Sequence, residues 1–129
     1  MSEKYKILSN FVKDMSSETP DVESYLSTKN NINKYELDID ISSKPLKNKL
    51  IEVNTSLKFQ NKTQADKKSY FEIVYASIVQ IEESIKEKKD LQKIILCDIQ
   101  NDIYPKIEKI LLNLLSDSGY SNVKFDKKV

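Results

Sequence analysis

The side chains of this chain that can do covalent or acid–base chemistry are carboxylates, lysines, tyrosines and a single thiol. Asp38 and Asp40 in "YELDIDIS" (35 to 42) stand two residues apart. At that spacing two carboxylates on a strand share a face and can act as an acid/base pair or hold a cation. They alternate with Tyr35, Leu37, Ile39 and Ile41, however, and that pattern predicts the wet face of a half-buried strand rather than a reactive pair. Cys97 stands in "KIILCDI" among apolar neighbours with no adjacent cation, so a small buried hydrophobe is expected there instead of an activated nucleophile. With no histidine in 129 residues, Ser-His-Asp and Cys-His arrangements, the usual zinc sites and histidine general-base catalysis are all excluded. The single glycine, Gly119, excludes the phosphate-cradling loops G-x-x-x-x-G-K-[ST] and G-x-G-x-x-G. The chain therefore reads as a non-enzyme without metal or cofactor.

Composition narrows the partners. A single domain over residues 1–129 can bury about two-thirds of its unfolded surface and needs no staple to fold. Lys+Arg total 21 against 20 for Asp+Glu, and the cations are spread along the chain, which argues against nucleic acid. No run of eighteen apolar residues suggests membrane insertion, and "MSEKYKILSN" lacks the apolar core of a signal peptide. The single cysteine fits a reducing compartment. A cytoplasmic protein is expected.

The elements that must position any site are strands first and a helix last. "YKILSNFVKDMS" (5 to 16) alternates imperfectly and "KYELDIDISS" (34 to 43) cleanly, and a polar Ser/Asn/Lys-rich loop joins them. "NKLIEVNTSLKFQ" (48 to 60) and "KKSYFEIVYASIVQIEE" (67 to 83) predict a long hairpin turning through "NKTQADKK". The last of these strands puts Phe71, Ile73, Tyr75, Val79 and Ile81 on one side and Tyr70, Val74, Ala76 and Ile78 on the other. Both faces are thus apolar, and the second requires a partner surface. From about residue 88 to 118 the apolar positions recur at threes and fours, ending at Gly119; Pro105 predicts either a kink or two helices. Residues 121–129, "SNVKFDKKV", read as a polar tail or as the start of a further segment. The expected fold is α+β, a four-stranded antiparallel sheet followed by a long amphipathic helix.

Several stretches, in order, resemble the SecB family of protein-export chaperones. "FVKDMSSETP" (11 to 20) is similar to that family's first-strand pattern of aromatic, x, Lys-Asp, aliphatic, Ser, x, Glu, x, Pro. "YELDIDI", "IEVNTSLKF" and "YFEIVYASIVQI" resemble its following strands, and "IYPKIEKILLNLLSDSGY" its helix from a Phe-Pro start to a glycine-aromatic turn. The likeness covers nearly the whole chain. It departs at "DSGYSN", where the family has Gly-Phe-Pro, and in the formal net charge of +1, where the family is strongly acidic.

The resemblance implies a SecB-like fold and an ATP-independent holdase, assembled as a homotetramer, a dimer of dimers. Such a chaperone binds unfolded preproteins and delivers them to SecA for Sec-dependent export. Carried over by position, it implies SecA binding by Asp14, Glu18, Tyr70 and Glu72, with steering left to this local acidic patch. Client binding falls to Tyr35, Leu37 and Ile39, and to Phe71 and Ile73, while Ile103, Ile107, Ile110 and Leu114 fall to core and subunit packing. A SecB-like chaperone serving another client, such as a toxin–antitoxin component, is the alternative.

Overall fold

The computed structural model describes residues 4–61, 69–121 and 123–125. Its strands are β1 (Tyr5–Glu18), β2 (Glu36–Pro45), β3 (Leu50–Gln60) and β4 (Tyr70–Ile81). They form one antiparallel sheet in the order β1-β4-β3-β2. The expected hairpin is β3–β4, paired from Leu50 opposite Gln80 to Gln60 opposite Tyr70. Its turn, "NKTQADKK", lies outside the described residues apart from Asn61. β2 and β3 are joined at Lys47–Leu50, where Asn48 and Lys49 both take left-handed φ near +60°, the geometry whose twist matches that of the flanking strands.

β1 shows why its alternation reads imperfectly. The register slips between Ile7 and Ser9 and again between Val12 and Asp14, so Leu8 and Lys13 are bulge residues. The second bulge sets Phe11 and Asp14, three apart in sequence, on the same face.

β1 and β2 lie on opposite edges of the sheet, so the chain must cross its end to join them. The expected polar loop is in fact a helix, α1 (Val22–Asn30), followed by a 3-10 turn at Ile32–Lys34. Asp21 caps α1, its carboxylate accepting from the Ser24 N–H at 2.7 Å, a contact worth about 1 kcal/mol in such positions. The buried positions of α1 are Ser24 and Thr28. With polar residues at its most buried positions and Tyr25 packed between them against the core, it carries little apolar periodicity to betray it.

The C-terminal helical region begins with α2 (Lys88–Lys93), passes through a π-helical turn at Ile94–Asp98 and continues as α3 (Ile99–Asp117). Pro105 sits inside α3, and the departure from α-helical hydrogen bonding comes before it, at the π turn. Ile99, Ile103, Ile107, Leu111 and Leu115 recur every fourth residue and are all fully buried. They pack on Val53, Leu57, Phe59, Phe71, Ile73 and Val79 from β3 and β4. Gln100 ties the layers together: its Nε2 donates to the Ile95 carbonyl at 3.2 Å and its Oε1 accepts from the buried Thr55 hydroxyl at 3.1 Å.

Two expectations are corrected here. Cys97 is exposed, because the π turn directs Ile94 and Ile95 inward and leaves Leu96 and Cys97 outside. The residues beyond Gly119 are also more than a polar tail. Gly119 takes φ +100° and the Tyr120 N–H bonds back to the Leu115 carbonyl at 2.8 Å, stopping α3 as expected of a glycine there. Tyr120 is then buried edge-on against Phe71, and Val123 and Phe125 pack onto the core. Asn122 and residues 126–129 lie outside the described residues.

Candidate functional site: two faces of one sheet

Cross-strand partners share a face, so the register sorts every candidate residue. The inner face, against α3, carries Leu37 opposite Phe59, Ile39 opposite Leu57 and Ile41 opposite Thr55. Burial falls off towards the edge strand. Leu57 is fully buried, whereas Ile39 beside it on β2 is 49% exposed and Leu37 and Ile41 are half-buried. The result is an apolar strip open to solvent along the inner side of β2.

Tyr35 closes one end of the strip. Its ring lies 5.2 Å from that of Phe59, and its hydroxyl donates to the Ser69 carbonyl at 3.0 Å and lies 3.2 Å from the Thr28 hydroxyl. Thr28 in turn donates to the Ser69 hydroxyl at 2.8 Å, tying α1 to the start of β4. Burial is the main influence on Tyr35 and holds its hydroxyl above the ordinary tyrosine range, so it remains a neutral donor.

Phe71 and Ile73 do not belong to this open strip. Both are fully buried on the inner face of the central strand β4, beneath α3, and so cannot be reached by a client in this packing. They form the floor against which β3 and the helix are set. Sequence alone cannot separate the two cases, since Ile39 and Ile73 occupy the same face and the same row, one on each side of Leu57; only the strand order makes one an edge residue and the other a central one.

The outer face brings Asp14, Glu18, Tyr70 and Glu72 together. Glu18 is opposite Tyr70, Ser16 opposite Glu72 and Asp14 opposite Val74, all on the side away from α3. Phe11, Ala76 and Ile78 continue the same face, with Phe11 45% exposed and Ala76 buried. On the far edge, Asp38 and Asp40 lie on this face in the rows of Lys58 and Ser56, Asp40 exposed as expected and Asp38 half-buried. The outer face is therefore an apolar centre bordered by carboxylates. Among the described residues no group of three or more Cys, Asp or Glu side chains is placed to hold a metal.

Glu52 gathers two lysines on this face. Glu52 accepts from Lys13 at 2.6 Å and from Asn54 at 2.9 Å, with Lys44 at 3.7 Å. The Lys13 hydrogen bond above all, then that of Asn54, holds the Glu52 carboxyl below its usual range. A carboxyl depressed in the folded state stabilises the fold above its unfolded value, and the effect is lost as pH falls through the lower folded value. Lys13→Met should therefore lower the unfolding temperature slightly at neutral pH, with the gap from the unsubstituted chain closing below about pH 4. Thermal unfolding of both proteins across pH checks this, and a gap independent of pH contradicts it.

The sequence matches the family described as preprotein translocase subunit SecB over residues 1–127. The chain belongs to the SecB family. A curated relative, the putative protein-export protein SecB of Pelagibacter ubique (strain HTCC1062), is 55% identical over 129 residues, covering 100% of this chain and 92% of that protein. Among solved structures, the fold is similar to the Mycobacterium tuberculosis Rv1957 SecB-like chaperone in complex with a ChAD peptide from the Rv1956 HigA1 antitoxin. The TM-score is 0.70 at 9% identity, covering 97% of this chain and 91% of that one. A Streptococcus agalactiae protein of unknown function is also similar, with a TM-score of 0.53 at 10% identity, covering 98% and 100%. At those identities the structures establish a shared fold. Membership of the SecB family implies a chaperone role rather than an enzymatic one. No helix among the described residues is long and apolar enough to cross a membrane.

Proposed function

We propose that this protein is an ATP-independent holdase that binds unfolded preproteins along the inner side of β2 and delivers them to SecA for Sec-dependent export. The observation that carries the reading is the open apolar strip of Leu37, Ile39 and Ile41 on an edge strand, in a chain belonging to an export-chaperone family. An extended segment laid along such an edge gains backbone contacts that do not depend on sequence, plus side-chain burial on one face. Affinity then accumulates over several copies of the site, so a homotetramer, a dimer of dimers, is part of the proposal. The exposure of Phe11, Val12 and Met15 on the other edge strand supports assembly, because a 14-residue edge with apolar side chains on both faces is a hazard when left unpaired. Asp14, Glu18, Tyr70 and Glu72, gathered on the outer face, are proposed to bind SecA, leaving the inner strip free for the client.

The protein is proposed to act in the cytoplasm, where preproteins are unfolded before export. A second reading, a SecB-like chaperone for a toxin–antitoxin component, rests on the fold shared with the Mycobacterium tuberculosis protein. The 55% identity to a protein-export relative favours export. Turbidity of a preprotein diluted from denaturant tests the holding step: suppression without nucleotide is expected, and aggregation at the rate of the preprotein alone opposes it. Binding to SecA separates the two readings.

A further inference from the structure

The segment after α3 occupies the end of the strip that the proposed function assigns to clients. Phe59 is only 3% exposed although it lies next to the edge strand, and two rings cover it. One is Tyr35; the other is Phe125, whose ring meets Phe59 edge-on with centroids 5.2 Å apart. The segment has the chemistry of a client. It is neither helix nor strand, and Val123 and Phe125 are half-buried on the core while Lys124 between them is exposed.

Its anchor to the helix lies at Tyr120, ahead of the segment itself. Tyr120 is buried and its N–H is bonded to Leu115, and the five residues from there to Phe125 span at most about 17 Å. An edge-on aromatic pair contributes roughly twofold to tenfold to an equilibrium beyond the area it buries, within reach of competition by a longer apolar chain.

We propose that Val123–Phe125 is a resident pseudo-client: it seats Phe125 on Phe59, and an unfolded chain must displace it to use the whole strip from Ile41 to Phe59. This rests on the strip being the client site. It makes Phe125 a competitor that lowers apparent affinity and keeps an aromatic surface covered between clients. A site blocked for part of the time binds more weakly by the fraction of molecules in which it is open.

The chain contains no tryptophan, so Phe125→Trp in the full-length protein is a clean reporter. During titration with a tryptophan-free unfolded preprotein, followed in parallel by light-scattering mass, the emission should shift to the red and acrylamide quenching should rise as the complex saturates. Phe125→Ala should bind the same preprotein about threefold to tenfold more tightly. An unchanged or blue-shifted emission in a complex of the expected mass would overturn displacement and leave the client strip standing. Weaker binding by a folded Phe125→Ala protein would make the ring a wall of the site and overturn it equally. Failure of the unsubstituted chain to form any complex would remove both readings.

Discussion

Replacing Ile39 with aspartate should weaken binding of an unfolded preprotein by about tenfold to a hundredfold, while lowering the unfolding temperature by no more than a few degrees. The asymmetry follows from where the residue sits. Ile39 is 49% exposed on an edge strand, so a carboxylate placed there keeps its water in the free protein. The folding cost is then the poorer strand propensity of aspartate, up to about 1 kcal/mol. When a client covers the strip, that carboxylate must lose water opposite apolar side chains, at a cost of about 1.5–3 kcal/mol, and each 1.4 kcal/mol is tenfold in affinity. Ile73→Asp is the opposing control. Ile73 is fully buried under α3, and an unpaired charge there costs more than about 4 kcal/mol, a large part of the stability of a domain this size. Isothermal titration together with thermal unfolding of both variants decides the matter. If Ile39→Asp unfolds like Ile73→Asp, β2 is core and the client strip is misplaced.

Reversing Asp14 and Glu18 to lysine together should reduce SecA affinity by about tenfold at low ionic strength, with the deficit shrinking as salt is added. Both residues are exposed on the outer face, opposite Val74 and Tyr70, on the far side of the sheet from the client strip. Exposed charges at the rim of an interface act mainly on association rate and screen readily, which predicts the salt dependence. The same geometry predicts that client holding and oligomer mass survive. Surface plasmon resonance against SecA at two salt concentrations, with aggregation suppression as the parallel readout, tests both halves. Loss of client holding with SecA binding intact would reverse the assignment of the two faces.

Much of this architecture could be read from the sequence, because burial writes itself into periodicity. The alternation of Val53, Thr55, Leu57 and Phe59 marks β3, and the recurrence of apolar residues at threes and fours through Ile99, Ile103, Ile107 and Leu111 marks α3, since each buries an apolar face continuously. Where the most buried positions are polar, as with Ser24 and Thr28 of α1, the pattern carries little helical signal and the segment reads as loop. Sheet order is not written in any strand. β2 and β4 both alternate, yet the place of β2 at an edge and of β4 inside the sheet decides that Ile39 is open and Ile73 is closed.

The two faces were legible in part. Asp14 and Glu18 share a face as their spacing of four suggests, and this holds because the bulge at Lys13 precedes both of them. Cys97 is exposed against expectation because an apolar neighbourhood in sequence says nothing of a π turn that shifts the register by one residue. The covering of Phe59 by Phe125 depends on a chain reversal at Gly119, which a single glycine announces as a stop without saying where the chain goes next.

As a holdase, this chain is expected to keep unfolded preproteins in solution without turning anything over. The most direct measurement is the mass, by light scattering after gel filtration, of the protein mixed with a slow-folding preprotein diluted out of denaturant in the absence of nucleotide. A peak at the mass of a tetramer carrying one client is the predicted result. A monomer or dimer that elutes unchanged while the preprotein aggregates beside it would contradict the account.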